Sequence, residues 1–132
     1  MTAATTQIPI RSSEDIVRMR QIVRERAVAQ KFSLVEQTKI VTAASELARN
    51  TLDYGGGGDV QLEIVANGTR NGIRLTFVDE GPGIPDIDQA LTDGYSSGRG
   101  LGLGLGGAKR LSNEFSVESS PGGTRVTITR WK

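Results

Sequence analysis

The chain has 132 residues and a formal net charge of +1, which suits one domain with a hydrophobic core of its own. So small a net charge gives no global electrostatic reason to expect a nucleic acid or a membrane surface as a partner. The chain has no histidine, which excludes Ser-His and Cys-His catalysis, histidine-ligated metals and a complete kinase that phosphorylates its own histidine. It has no cysteine, which excludes a disulfide framework and a thiolate metal site.

Targeting signals are also missing from the sequence. No apolar run approaches the ~18 residues that cross a bilayer, and the N-terminus lacks the apolar region of a signal peptide. We therefore expect a soluble, cytoplasmic protein with no membrane and no nucleic-acid partner. Arg18, Arg20, Arg24 and Arg26 lie along one predicted helix. We interpret them as a solvated face, with a partner-docking surface as the alternative.

The first elements in chain order are an edge strand and a helix. Residues 5–10 are partly β-prone, but Pro9 suits an edge strand better than a central one. Ser12 followed by Asp15 resembles a capping box, which marks the start of a helix. Apolar residues then recur at three- and four-residue spacing, which predicts an amphipathic helix over about residues 13–30.

A second helix follows at once. Ser33 with Glu36 is a clearer capping box, and the apolar pattern behind it predicts a helix that ends near Leu52. Residues 55–58 are four glycines, which cannot continue a helix cheaply and predict a loop. That loop is either a plain linker or part of a functional site, and the local pattern leaves both interpretations open.

The remainder of the chain predicts two hairpins. Alternating apolar and polar residues predict four strands, around residues 60–64, 73–77, 115–117 and 126–128. Residues 67–72 and 121–123 carry turn chemistry between the strands of each pair. Short helices are predicted at 85–91 and near 108–113, with a polar loop over 92–99. We expect an α+β fold, a two-layer sandwich whose mixed, mostly antiparallel sheet carries helices on one face, in a single domain over residues 1–132.

The glycine-rich stretch over residues 98–107 contains a Gly-x-Gly-x-x-Gly pattern, but no dinucleotide fingerprint. A polar loop rather than a strand precedes it and the chain is almost over, whereas the fingerprint follows a strand and leads to an acidic residue ~20 positions on within a βαβ unit. A Walker loop needs Gly-Lys-Ser/Thr, and a protein-kinase loop needs His-Arg-Asp and Asp-Phe-Gly; both are missing. What remains is a flexible loop that leads into a helix N-terminus, where exposed N–H groups favour phosphates. Lys109 and Arg110 either contact those phosphates or cover a solvent face.

Two other motifs also allow a ligand site. Glu46 and Asn50 are four residues apart and share a helix face, which suits either a phosphate-bound magnesium ion or an ordinary polar surface. The segment Asp79-Glu80-Gly81-Pro82-Gly83 ends a strand. Its aspartate can accept a hydrogen bond from an amine, and its glycines let a flat ring approach the backbone. Taken alone, it is a good β-turn, and this is the default interpretation.

The motifs occur in a characteristic order. Glu-x-x-x-Asn is followed by Asp-x-Gly-x-Gly, then Gly-x-Gly-Leu-Gly-Leu, then Gly-Gly-Thr in the terminal hairpin. In this order they resemble the GHKL ATPase/kinase superfamily, whose ATP-binding domain has the Bergerat fold. The resemblance extends from about Ser33 to the end of the chain. It implies the α+β sandwich expected above, with ATP and Mg2+ as ligands.

The resemblance also implies roles for individual residues. Glu46 corresponds to the general base, Asn50 to the magnesium ligand and Asp79 to the residue that accepts a hydrogen bond from the adenine amine. Thr124 corresponds to the hydroxyl that supports Asp79, commonly through water. The full set of nucleotide-binding residues that the resemblance implies is Arg49, Asn50, Asp79, Gly81, Gly83, Ile84, Gly98, Gly100, Leu101, Gly102, Leu103, Gly104, Lys109 and Thr124.

Within the superfamily, the chain is most similar to the small serine/threonine switch kinases of bacterial partner-switching, or stressosome, systems. The segments 46–50, 80–87 and 109–111 carry this similarity. Anti-sigma factors usually have a histidine where this chain has Tyr54, and together with Arg49 this difference favours the switch kinases. The resemblance implies a STAS-domain antagonist protein as substrate and a PP2C-type phosphatase as a further partner. An anti-sigma factor that binds nucleotide, or a detached histidine-kinase catalytic domain, remains the alternative.

Overall fold

The computed structural model describes residues 5–84 and 105–132, which contain five strands and three helices. The strands are β1 (Thr5–Ile10), β2 (Gly58–Asn67), β3 (Arg70–Asp79), β4 (Glu114–Ser120) and β5 (Gly123–Trp131). The helices are α1 (Ser13–Ala29), α2 (Leu34–Asp53) and α3 (Leu105–Arg110). The helix predicted at 85–91 and the loop at 92–99 lie outside the described residues. Within 5–84 and 105–132, no helix has the length and apolarity that a membrane span requires.

The five strands form one sheet in the order β1-β2-β3-β5-β4, and every pairing is antiparallel. The predicted edge position of β1 is confirmed, with Pro9 opposite Asp59 of β2. The β2–β3 turn is shorter than predicted, since pairing continues to Asn67 and Arg70 and leaves only two residues between them. The first of these, Gly68, has φ 63°, the sign that such tight hairpin turns require.

The two long helices begin at the predicted capping residues. Ser33 Oγ accepts from the Glu36 N–H (3.2 Å), and Glu36 Oε1 accepts from the Ser33 N–H (2.9 Å). This backbone hydrogen bond is the main reason that the pKa of Glu36 lies below its ordinary value. The carboxylate therefore stabilises the fold at pH values above its unfolded-state pKa, and that contribution is lost as pH falls through the folded value. At α1, Ser12 Oγ accepts from the Asp15 N–H (3.3 Å). The Asp15 carboxylate accepts from the Arg11 backbone N–H and not from that of Ser12, so the capping box is incomplete.

Both long helices pack against one face of the sheet. Every second residue of the central strands is buried on this face, for example Leu62, Leu75 and Phe77. The core is completed by apolar residues of α1 and α2 at helical spacing, including Met19 and Leu47. Strand residues that point to the opposite face are mostly polar, as the alternation predicts for a sheet with one covered face. The predicted two-layer α+β class is confirmed.

The capping box supplies a direct test of how α2 is stabilised. We expect Ser33→Ala to lower the free energy of unfolding by about 1 kcal/mol, because the first turn of the helix loses its side-chain acceptor. Urea unfolding measures this difference. Ser13→Ala, at an exposed position that begins α1, is the control and should have an effect within about 0.5 kcal/mol. Equal stabilities for Ser33→Ala and the wild type would show that the cap contributes nothing.

Candidate nucleotide-binding site

The candidate site lies at the end of β3, beside the β4–β5 hairpin. Asp79 is the last residue of β3 and points to the same face of the sheet as the buried Phe77, because side chains alternate along a strand. Thr124 of β5 is directly opposite Asp79 and is 9% exposed. The backbone register of two neighbouring strands therefore places together the two residues that the resemblance assigns to the adenine base.

The segment after β3 turns back over this pair. The Gly81 N–H donates to Asp79 Oδ1 (2.9 Å), so the loop and the carboxylate hold each other in place. Farther along, the Ile84 N–H donates to Ser119 Oγ on β4 (2.7 Å). Ser119 Oγ also lies 2.9 Å from Thr124 Oγ1. The bond from Ile84 therefore ties the loop to β4, and the contact of Ser119 with Thr124 continues this connection to β5.

The loop after β3 needs glycine at two positions for a reason other than the approach of a flat ring. Gly83 has φ 85°, and a Cβ placed there would collide with the Ser120 carbonyl. A Cβ on Gly81 would lie 2.7 Å from the Cα of Gly55. The predicted need for glycine at both positions thus follows from how closely the loop packs against neighbouring backbone.

Gly55, the first of the four glycines at residues 55–58, lies beside the same aspartate. The Asn50 carbonyl accepts from the Gly55 N–H (3.2 Å), which holds the start of this segment against the end of α2. A Cβ on Gly55 would lie 2.6 Å from Asp79 Oδ2, so the backbone of this glycine packs directly against the aspartate side chain. Of the two interpretations that the sequence left open, the structure favours a loop that builds the site over a plain linker.

The polar residues of the Glu-x-x-x-Asn motif lie in the last turns of α2, just before the segment in which Gly55 packs against Asp79. Asn50 is half-buried, Glu46 lies one turn earlier and is exposed, and Arg49 is exposed. Through Gly55, the backbone of Asn50 connects directly to the aspartate at the end of β3. The structure therefore brings the Glu-x-x-x-Asn and Asp-x-Gly-x-Gly motifs to the same end of the sheet.

The donor set fits a magnesium ion that is shared with phosphates. In the described part of the chain, no cluster of three or more acidic side chains forms a ready metal cage. Mg2+ prefers oxygen ligands, keeps several waters and shares substrate phosphates, so one amide oxygen on the protein is sufficient. Asn50 carries such an amide oxygen, and Glu46 carries a carboxylate one helical turn earlier on α2.

The helix after the glycine-rich stretch differs from its prediction. α3 begins at Leu105, inside the glycine-rich stretch, and ends at Arg110. Lys109, which is exposed, lies in the last turn of α3, and a basic side chain at this C-terminal end interacts favourably with the helix dipole. The other predicted contacts lie outside the described residues and stay predictions: Gly98, Gly100, Leu101, Gly102, Leu103 and Gly104.

Sequence reasoning missed two residues of the site, Ser119 and Gly55. A signal for Ser119 was present, because Phe115, Val117 and Ser119 alternate along β4 and face the helices. A serine at such a position is a polar group directed towards the interior. No local pattern distinguished Gly55 from the other glycines of its loop, since its role depends on Asp79, which is far away in the chain.

Comparisons with known proteins show the family to which the chain belongs. Residues 35–132 match the family described as histidine kinase-, DNA gyrase B-, and HSP90-like ATPases. The chain is 44% identical over 125 residues to the serine/threonine-protein kinase RsbT of Bacillus subtilis, covering 94% of each protein. It is 30% identical over 117 residues to an anti-sigma F factor of Thermoanaerobacter, covering 85% of this chain and 82% of that one.

Among solved structures, the chain is similar to the crystal structure of the RsbU and RsbW domains of Rv1364c from Mycobacterium tuberculosis. The TM-score is 0.69 at 19% identity, over 98% of this chain and 33% of that longer one, so this likeness concerns the fold alone. The family match, in contrast, spans α2, the loop after β3 and the terminal hairpin, which are the elements that build the candidate site. The chain therefore belongs to the family of histidine kinase-, DNA gyrase B- and HSP90-like ATPases, as the order of its motifs predicted.

Proposed function

We propose that this protein is an ATP- and magnesium-dependent serine/threonine protein kinase of a bacterial partner-switching system. The observation that carries the proposal is that the end of α2, where Asn50 follows Glu46 by one helical turn, is joined to Asp79 on β3 through the backbone of Gly55. The 44% identity with a serine/threonine-protein kinase over 94% of the chain supports the same activity. A protein serine or threonine is the acceptor in this proposal.

The nucleotide-binding roles follow the positions of the residues. Asp79 accepts from the exocyclic amine of adenine, and Thr124, opposite it in the sheet, supports that contact. Gly81, Gly83 and Ile84 shape the loop beside the base. Asn50 contributes an oxygen ligand to Mg2+, which supplies charge neutralisation for the transferred phosphoryl group. Arg49, Lys109 and the glycines of residues 98–104 complete the phosphate contacts in this proposal.

Glu46 is the proposed general base. It lies one helical turn from Asn50, so its carboxylate is on the side of α2 where the metal-bound phosphates are proposed to lie. It would accept the proton of the attacking hydroxyl as that oxygen bonds to the γ-phosphorus and the bond from this phosphorus to the bridging oxygen of ATP breaks, which releases ADP. The exposure of Glu46 suits this role, because a folded protein substrate can approach only an accessible base.

The partners in this proposal come from the resemblance to switch kinases. The substrate is a STAS-domain antagonist protein that is phosphorylated on serine or threonine. The released kinase binds and activates a PP2C-type phosphatase. We place the protein in the cytoplasm, as one GHKL domain that acts through protein partners.

A second candidate function is a nucleotide-dependent binding module that sequesters a sigma factor. The 30% identity with an anti-sigma F factor over most of the chain favours it. The two functions differ in what happens to the phosphate. A kinase transfers it to its partner, whereas the binding module needs nucleotide for complex formation and transfers little.

The test is a transfer assay with the purified chain, Mg2+, γ-labelled ATP and a STAS-domain protein encoded beside it. We expect acid-stable label on a serine or threonine of the partner, and Asn50→Ala should lower the transfer rate at least about 100-fold because the metal loses its protein ligand. Arg24→Glu, on the exposed face of α1, is the matched control and should transfer normally. Acid-labile label would instead indicate phosphohistidine, and tight ATP binding without transfer would favour the binding module.

A further inference from the structure

The outward face of α2 is a stripe that has an exposed apolar residue at one end and the proposed general base at the other. Val35, Thr38, Thr42 and Glu46 are all exposed and follow one another at three- and four-residue spacing, so they lie on one side of the helix. Val35 and Glu46 are three turns apart, which is about 16 Å along the axis. We propose that this stripe is the docking surface for the protein substrate, with Val35 as its apolar anchor. This inference rests on the proposed function.

Val35 is exposed without a role in starting its helix. Its side chain is 62% exposed, and it is one of four large hydrophobic side chains that are exposed within residues 5–84 and 105–132. The capping box of α2 is made by Ser33 and Glu36, on either side of it in the chain. A single exposed valine needs no explanation by itself. What gives Val35 a meaning is its place on the same side of α2 as Glu46.

The stripe between Val35 and Glu46 is uncharged and only weakly polar. Thr38 Oγ1 donates to the Leu34 carbonyl (3.0 Å), so the hydroxyl proton is already used inside the helix. Thr42 is small, exposed and without charge. A partner can cover both threonines without removing water from an ionised group, which keeps the desolvation cost low. The face therefore suits a protein surface that is itself flat, uncharged and partly apolar.

A protein substrate that reaches Glu46 has to cover this stripe. Specific protein–protein interfaces bury about 800 Å² on each partner, the area of a disc with a radius of about 16 Å. The distance along the axis from Glu46 to Val35, about 16 Å, equals this radius. A substrate whose acceptor hydroxyl lies at Glu46 therefore reaches Val35 at the margin of its contact. The substrate that fits has an apolar patch about 16 Å from the serine or threonine that accepts phosphate.

Val35→Ala tests the anchor. Alanine favours a helix, and Val35 is too exposed to contribute to the core, so the variant should fold as the wild type does. We expect the KM for a STAS-domain protein encoded beside the chain to rise about five- to tenfold, because contact with two carbon atoms is lost. The kcat at saturating substrate and the dissociation constant of Mg-ADP should not change, since Asn50 lies about 22 Å farther along α2.

Thr38→Arg tests the middle of the stripe. It should raise the same KM at least about tenfold, because the substrate has to displace or desolvate a long charged side chain. Position 38 is two turns before Glu46, too far for the arginine to pair with the general base. The matched controls are Val65→Ala and Ser116→Arg. They make the same kinds of change on the sheet face that points away from the helices, and should leave KM unchanged.

Calorimetric titration of the STAS-domain protein into the full chain with Mg-ADP measures docking without phosphate transfer, and initial transfer rates give KM and kcat. Weaker docking in both variants, with normal kcat and normal ADP binding, is the expected result. Unchanged docking in both variants, with a wild type that phosphorylates the protein, would overturn the inference alone. A lower kcat with an unchanged KM would also overturn it, since the stripe would then act on the chemical step.

Two further outcomes concern what covers the stripe. A wild-type chain that sediments as a dimer, and that Val35→Ala converts to a monomer, would assign the stripe to a second copy of the chain and overturn the inference. A wild-type chain that transfers no phosphate to the STAS-domain protein would overturn the proposed function and the inference with it.

Discussion

Glu46→Gln should bind ATP as the wild type does and transfer phosphate about 10²- to 10⁴-fold more slowly, the range that a positioned general base contributes. Glutamine keeps the size and polarity of the side chain but cannot take the proton of the acceptor hydroxyl. Glu46 is exposed on α2, and the substitution leaves the loop around Asp79 intact, so nucleotide affinity has no physical reason to change. Initial transfer rates at saturating ATP, together with a dissociation constant for Mg-ADP, measure the two properties separately.

The matched control for this prediction is Glu25→Gln, which removes an exposed carboxylate from α1. It changes the net charge by the same amount and should leave transfer unaffected. Transfer at the wild-type rate in Glu46→Gln would show that another group takes the proton. A parallel loss of nucleotide affinity would show that Glu46 acts in binding and not as the base.

Gly55→Ala should weaken nucleotide binding about 10- to 100-fold although Gly55 itself contacts no part of the nucleotide in our proposal. The added Cβ would lie 2.6 Å from Asp79 Oδ2, which forces the carboxylate away from its position. Losing a hydrogen bond to a charged group costs about 1.5–3 kcal/mol, and this sets the expected factor. The backbone of Gly55 has no left-handed φ, so the effect comes from the collision and not from backbone strain.

A double-mutant cycle with Asp79→Ala tests whether Gly55→Ala weakens nucleotide binding by displacing the Asp79 carboxylate. If Gly55→Ala acts by moving Asp79, the double variant should bind Mg-ADP no more weakly than Asp79→Ala alone. Additive losses would mean that the alanine disturbs binding in some other way. Gly107→Ala in α3 is the control, since a Cβ there meets no atom of residues 5–84 and 105–132 within 4 Å, and it should bind normally.

The elements of the fold were predictable because they are local. Ser33 and Glu36 are three residues apart, and their reciprocal hydrogen bonds need only the first turn of a helix. Alternation along β2 and β3 assigned the buried face of each strand correctly, because side chains alternate across a strand whatever lies beside it. The start of α3 was placed too late, because glycines have low helix propensity and nothing local indicated that the burial of Leu105 and Ala108 would outweigh it.

The site was predictable only in part. The motifs with Glu46, Asn50 and Asp79 could be recognised from their spacing and order. Ser119 stayed unrecognised because its partner Ile84 lies 35 positions away in the chain. A polar residue on a strand is common, and only its contacts identify it as part of a network.

By itself, the sequence determined the two long helices, the strands, the buried faces of β2 and β3, and the family, since each depends on residues a few positions apart or on the order of short motifs. Only the tertiary structure decided that β3 pairs with β5, which places Asp79 opposite Thr124. It also decided that the end of α2 packs Gly55 against Asp79. The physical reason is that contacts between distant segments depend on how whole elements pair and pack, and hydrophobic alternation is the same whichever strand becomes the neighbour.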